Sequence, residues 1–152
     1  MRIVAYTGGP IKTAALPAPV VVELSGVRFN EAATPVLADH NPRDPVGHGR
    51  AFVQDGRIVL DGQVSVIENP KARQIVAAAR RGFPWQASIG LPVYAVAEYR
   101  QGQTFTANGR MYTAPEGGMF HALESRLREV SILTFGADAN THAAVSAGAD
   151  NR

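Results

Sequence analysis

Short apolar runs and apolar–polar alternation, broken by Gly and Pro, run through most of the 152-residue chain. A side-chain period of two is the mark of β-strands. Arg2-Ile3-Val4-Ala5-Tyr6 and Pro19-Val20-Val21-Val22-Glu23-Leu24 are two such runs, separated by the Gly/Pro/Ala-rich loop from Thr7 to Pro19. Ala51-Phe52-Val53-Gln54 and Arg57-Ile58-Val59-Leu60 flank Asp55-Gly56. Thr104-Phe105-Thr106-Ala107 and Arg110-Met111-Tyr112-Thr113 flank Asn108-Gly109. Asp-Gly and Asn-Gly supply the positive φ angles of a type I′ turn, so both segments are predicted hairpins.

One helix is predicted between Asn69 and Gly82. Asn69 suits the N-cap and Pro70 the first helical position, while Arg80 and Arg81 favour the negative end of the dipole. Ala72, Ile75, Val76 and Ala79 lie on one stripe at the i, i+3, i+4, i+7 spacing. Met119 to Leu127 reads as a second helix or as an irregular lead into the strand Glu129–Phe135. The expected fold is α+β and mainly β: a closed or strongly coiled barrel flanked by one or more helices. One domain is expected over residues 1–145, with an Ala/Gly/Ser-rich tail over 146–152 that frays.

Composition narrows the chemistry mainly through cysteine, which is absent. That excludes disulfides, a thiol nucleophile and every Cys-ligated metal site. The net charge of +2 comes from 15 basic and 13 acidic residues. The arginines are scattered among acids rather than clustered beside aromatic platforms, which speaks against a nucleic-acid partner. No apolar run approaches the roughly 18 residues of a membrane span, and a soluble intracellular domain without a membrane partner is expected.

Covalent hydrolysis without cysteine needs Ser or Thr beside a base, and His is the natural base near neutral pH. Among His40, His48, His121 and His142, His40 is singled out because Val36-Leu37-Ala38-Asp39-His40 ends an apolar strand at a polar turn. It is either a base on a rigid mount or a surface hydrogen-bonding residue. Ser88 sits in Gln86-Ala87-Ser88-Ile89-Gly90-Leu91-Pro92, where Gly90 and Pro92 suggest a bulge that re-aims a side chain. Its alternative is an ordinary hydroxyl on a solvent-facing strand. Glu129 shares a strand face with Ser131 and Leu133 and is either a carboxylate that orients an imidazole or a solvated strand-start residue. His142 competes for the orienting role. Asp39, His40, Asp44 and His48 raise a metal reading, but their spacing fits no compact zinc pattern and Pro45-Val46-Gly47 reads as a turn between the last two.

Four of these segments, in order, resemble the prohead proteases of tailed bacteriophages, capsid-maturation serine proteases related to herpesvirus assemblin. They are the strand ending in Asp39-His40 with Pro45-Val46-Gly47 after it; the Gly56–Val66 strand region and the helix ending Arg80-Arg81-Gly82; Gln86-Ala87-Ser88-Ile89-Gly90; and Leu127-Arg128-Glu129-Val130-Ser131-Ile132-Leu133 with Ala139-Asn140 and Ala143 beyond. The resemblance spans about Val36 to Val145. It implies an assemblin-like barrel with Ser88 as nucleophile, His40 as general base and Glu129, or else His142, as the third group, and no cofactor or metal. It further implies scaffold and capsid-precursor substrates, with the chain's own sequence as an optional further one, cleaved inside an assembling procapsid in the host cytoplasm, and a homodimer. A non-catalytic β-barrel virion assembly module, of tail-tube or scaffold-binding type, is the alternative.

Overall fold

A computed structural model of the chain describes residues 1–146. In chain order the elements are β1 (Arg2–Tyr6), β2 (Val20–Val22), a 3-10 turn (Leu24–Gly26), β3 (Val27–Arg28), β4 (Thr34–Ala38), β5 (Asn41–Gln54) and β6 (Arg57–Val64). Then come α1 (Pro70–Arg80), β7 (Gln86–Gly90), β8 (Val93–Tyr99), β9 (Thr104–Ala107), β10 (Arg110–Thr113), β11 (Met119–Arg126), β12 (Glu129–Leu133) and β13 (His142–Ala144).

Seven strands form one sheet in the order β13-β1-β6-β5-β4-β12-β7. The sheet coils until its ends meet in a nearly closed, barrel-like arrangement. The gap is bridged by the segment after β12. The Ala143 N–H donates to the Trp85 carbonyl at 2.9 Å. The Thr141 hydroxyl accepts from the Ala87 N–H at 3.0 Å and donates to the Ala87 carbonyl at 2.9 Å. Thr141 therefore replaces a missing neighbour strand at β7. Thr141→Val would strand a buried N–H and carbonyl, and we expect it to cost about 1–3 kcal/mol, read as a lower denaturant midpoint.

The barrel interior holds the fully buried Ile3, Tyr6, Val36, Val46, Ile58, Leu60, Val130 and Ile132. The described residues are thus mainly β with one α-helix, as the alternation predicts. Both hairpins form as expected: Asp55 and Gly56 have φ of 52° and 71°, Asn108 and Gly109 of 51° and 74°. The helix ends where its caps place them, with Asn69 Oδ1 accepting the Lys71 N–H at 3.1 Å. Its stripe of Ala72 and Ile75 is buried against the barrel.

Three expectations need correction. Met119–Arg126 is neither a helix nor an irregular lead. It is the central strand of a second, four-stranded sheet, hydrogen-bonded to β8 on one side and to β2 and β3 on the other. Pairing on both sides overrides the helical propensity of Ala122, Leu123 and Glu124. Pro45-Val46-Gly47 is not a turn but lies within the fourteen-residue β5. Pro45 sits at an irregularity in the β4–β5 register, the kind of place a strand tolerates proline. Gly47 lies so close to the Gln63 carbonyl that no side chain would fit. Gly90 forms no bulge, because β7 and β12 pair in unbroken register from Gln86↔Leu133 to Gly90↔Glu129.

At the C-terminal end, Ala144 of β13 pairs with Arg2 of β1 and Val145 is buried. Residues 147–152 of the expected tail lie outside the described residues. Among the described residues no helix is long and apolar enough to cross a membrane.

Candidate active site

The site candidates converge on β12. Ser131 pairs with Ser88 of β7 on one side and with Leu37 of β4 on the other. Directly opposed residues of an antiparallel pair point to the same face, so Ser88 and Gly90 share a face with Ser131 and Glu129. Ala87 gives its backbone groups to Thr141, so Ser88, one residue on, turns its own toward β12. In that hydrogen-bonded type of pair the Cα atoms of Ser88 and Ser131 stand about 5.5 Å apart.

His40 reaches this face because the chain curls back at the end of β4. Asp39 and His40 are both left-handed, with φ of 51° and 56°. Such a conformation is costly for residues with a Cβ and persists only where surrounding contacts hold it. Here they do. The His40 N–H donates to Ser131 Oγ at 2.9 Å, and the Asp39 N–H donates to the Ile132 carbonyl at 3.2 Å.

The imidazole is held by Glu129. His40 Nδ1 lies 2.5 Å from Glu129 Oε1, while Ser131 Oγ donates to Glu129 Oε2 at 2.7 Å. Glu129 is buried, contrary to a solvated strand-start role, and both its oxygens are engaged. Ser131 thus ties the backbone of the base to the carboxylate that orients its ring. Gly90 makes room for this pair: a Cβ there would collide with the Glu129 side chain. That close approach, rather than a bulge, explains the glycine.

Hydrogen bonding to Glu129 raises the His40 pKa above its ordinary value. Partial burial opposes the rise, and the negative charges of Glu129 and Asp39 add to it. With Nδ1 occupied, Nε2 has no partner among the described residues and is the nitrogen open for proton transfer. Because the folded pKa is the higher one, this contact contributes stability fully below about pH 6.5, the ordinary His value, and loses it as pH rises through the folded value.

The remaining candidates stand elsewhere. His142 is exposed on β13 opposite Val4 and makes no hydrogen bond to His40; Glu129 is the group on the ring. His48 bonds Ser65 through Nδ1 at 2.8 Å, and Asp44 accepts from Asn41 at 2.8 Å. No group of three or more His, Asp or Glu side chains among the described residues is placed to hold a metal. His121 is buried and pairs with Glu23 at 2.8 Å, where Asn108 of the second hairpin also bonds the backbone of Gly8, Val22 and Leu24; that cluster fastens the hairpin to the small sheet. Trp85 donates Nε1–H to the Ile75 carbonyl at 3.1 Å and packs on Phe83 with ring centroids 4.4 Å apart, acting as an anchor for α1.

Ser88 itself is half-buried, and its hydroxyl makes no hydrogen bond to His40 or to any other described residue. Sequence reasoning overlooked Ser131 as a bridge and Gly90 as a clearance. The signal was present in Glu129-Val130-Ser131, where a period of two puts a carboxylate and a hydroxyl on one face. No family model, curated protein or solved structure matches the chain.

Proposed function

We propose that the chain is a serine endopeptidase with Ser88 as nucleophile, His40 as general base and Glu129 as the group that orients and charges the base. The reading is carried by the His40–Glu129 contact: an imidazole fixed through Nδ1 by a buried carboxylate, with Nε2 unclaimed and a serine hydroxyl on the same face, opposite the residue that anchors the His40 backbone. His40 Nε2 takes the Ser88 proton as Oγ attacks a peptide carbonyl carbon. The proton then passes to the leaving amine as the C–N bond breaks. Water, activated by the same nitrogen, hydrolyses the acyl-enzyme and restores Ser88. On this reading the Ser88–His40 hydrogen bond, not made in the free chain, forms when substrate binds, as catalytic contacts commonly do.

Together with the prohead protease resemblance, the proposal extends to the assemblin-like variety of barrel, to scaffold and capsid-precursor polypeptides as substrates within a procapsid in the host cytoplasm, and to a homodimer. The alternative, a non-catalytic virion assembly module, draws on one observation, the unmade Ser88–His40 hydrogen bond. Two measurements on wild type and Ser88→Ala separate the readings. The wild type is expected to cleave scaffold or capsid precursor and to gain the mass of one organophosphonate at Ser88; the variant is expected to do neither. Undiminished cleavage by folded Ser88→Ala overturns the proposal.

A further inference from the structure

The small sheet leaves one strand edge open. Within β11, the Phe120 N–H donates to the Pro19 carbonyl at 2.8 Å, and the Ala122 carbonyl accepts from the Glu23 N–H at 2.9 Å. Phe120 and Ala122 therefore direct their backbone groups away from β8, while Met119 and His121 direct theirs toward it. Their partners on β8 are Tyr99 and Ala97. By the alternation of an antiparallel ladder, the N–H and C=O groups of Val96 and Glu98 point outward, and they meet no backbone among the described residues.

The side chains along this edge are unlike those that usually blunt one. Tyr94 is 62% exposed and Val96 53%, with neither a lysine nor a proline within β8. The sheet face that ends at this edge carries a groove of about 450 Å³, lined by Ile11, Val20, Ala122, Leu91, Tyr94 and Val96. Glu98, two residues beyond Val96 and on the same face, forms no ion pair among the described residues.

We propose that the outer edge of β8 receives an extended segment of a partner polypeptide as an additional strand. One apolar side chain of the segment fills the groove, and a Lys or Arg lies beside Glu98. Unpaired main-chain donors and acceptors on a strand edge are met by another main chain, which makes the occupant a polypeptide. A second copy of this chain fits less well. Paired edge to edge through β8, a second copy offers Glu98 no cation, because β8 carries neither lysine nor arginine. The proposal stands apart from the peptidase reading, since no part of it uses Ser88 or His40.

The probe is a blocked eight-residue peptide of alternating Thr and Val with one Lys, titrated into the full chain and followed by backbone amide NMR. The expected result is saturable shifts centred on Val96 and Glu98, the same for wild type and Ser88→Ala. Val96→Pro removes an outward N–H without touching the ladder to β11, as edge positions permit, and is expected to weaken binding at least about fivefold. Should that variant not fold, Glu98→Lys on the chain and N-methylation of alternate peptide bonds in the probe supply the same test, each weakening binding. Failure of the peptide to bind at millimolar concentration, equal binding of the N-methylated peptide, or shifts centred elsewhere overturns the proposal. So does a concentration-dependent dimer that Val96→Pro abolishes, which would assign the edge to a second copy.

Discussion

On the proposed peptidase mechanism, Glu129→Gln is expected to lower the cleavage rate about 10⁴-fold, the scale seen when the acid of a Ser-His-Asp triad becomes an amide, while the chain stays folded. The amide keeps the size of the side chain and still accepts a hydrogen bond, but it no longer carries the charge that stabilises an imidazolium. It also offers an N–H toward Nδ1 or Ser131, where the carboxylate accepts, and so favours the wrong tautomer. The pH dependence gives an independent readout. General-base catalysis requires neutral His40, so the wild-type rate rises with pH through the raised pKa and then levels. Removing the Glu129 charge brings that pKa down, and the acid limb moves to lower pH. An NMR titration of the His40 ring in both proteins should show the same displacement. A variant within a few-fold of wild type, with an unmoved limb, would show that Glu129 has no part in the chemistry.

Gly90→Ala is the second large effect expected, and it acts on stability and site together. A methyl group at residue 90 meets the Glu129 carboxylate across the β7–β12 pair. Glu129 is fixed by both His40 and Ser131 and has nowhere to retreat without losing one of them. Overpacking of this kind costs about 1–3 kcal/mol, which would appear as a lower denaturant midpoint at unchanged slope. Displacement of the carboxylate also lowers the His40 pKa. Gly9, whose φ is not positive, has nothing within reach for a Cβ to strike, so damage at residue 90 but not at residue 9 reflects the collision rather than glycine loss in general. Unchanged stability with an unmoved His40 titration would refute the account.

The parts of this structure that local physics dictates were legible in the sequence. Asp55-Gly56 and Asn108-Gly109 carry their backbone angles in their residue types, and Asn69, Pro70 and Gly82 bracket α1 without help from the rest of the chain. What local pattern could not supply was partnership. Met119–Arg126 has a composition open to either helix or strand, and only β2, β3 and β8 on its two sides decide the matter. The full length of β5 was hidden because Pro45 and Gly47 look like punctuation until the close passage of β6 is known. At the site, Ser88, His40 and Glu129 could each be picked out as residue types in suggestive settings. Their common face follows from the parallel β4–β12 and antiparallel β12–β7 pairings, which join stretches dozens of residues apart. Ser131 and Gly90 take their meaning only from that register.

The strand β12 has one further implication, concerning time. It supplies Glu129, and the ring that Glu129 holds lies 89 residues earlier in the chain. During synthesis His40 and Ser88 therefore leave the ribosome long before the carboxylate that equips the base exists. Contacts so distant in sequence form late, because the loop they close must first be ordered. On the proposed peptidase reading, a half-made chain would hold an unaided imidazole and an inert alcohol, so any ability to cut would arrive only with completion of the barrel.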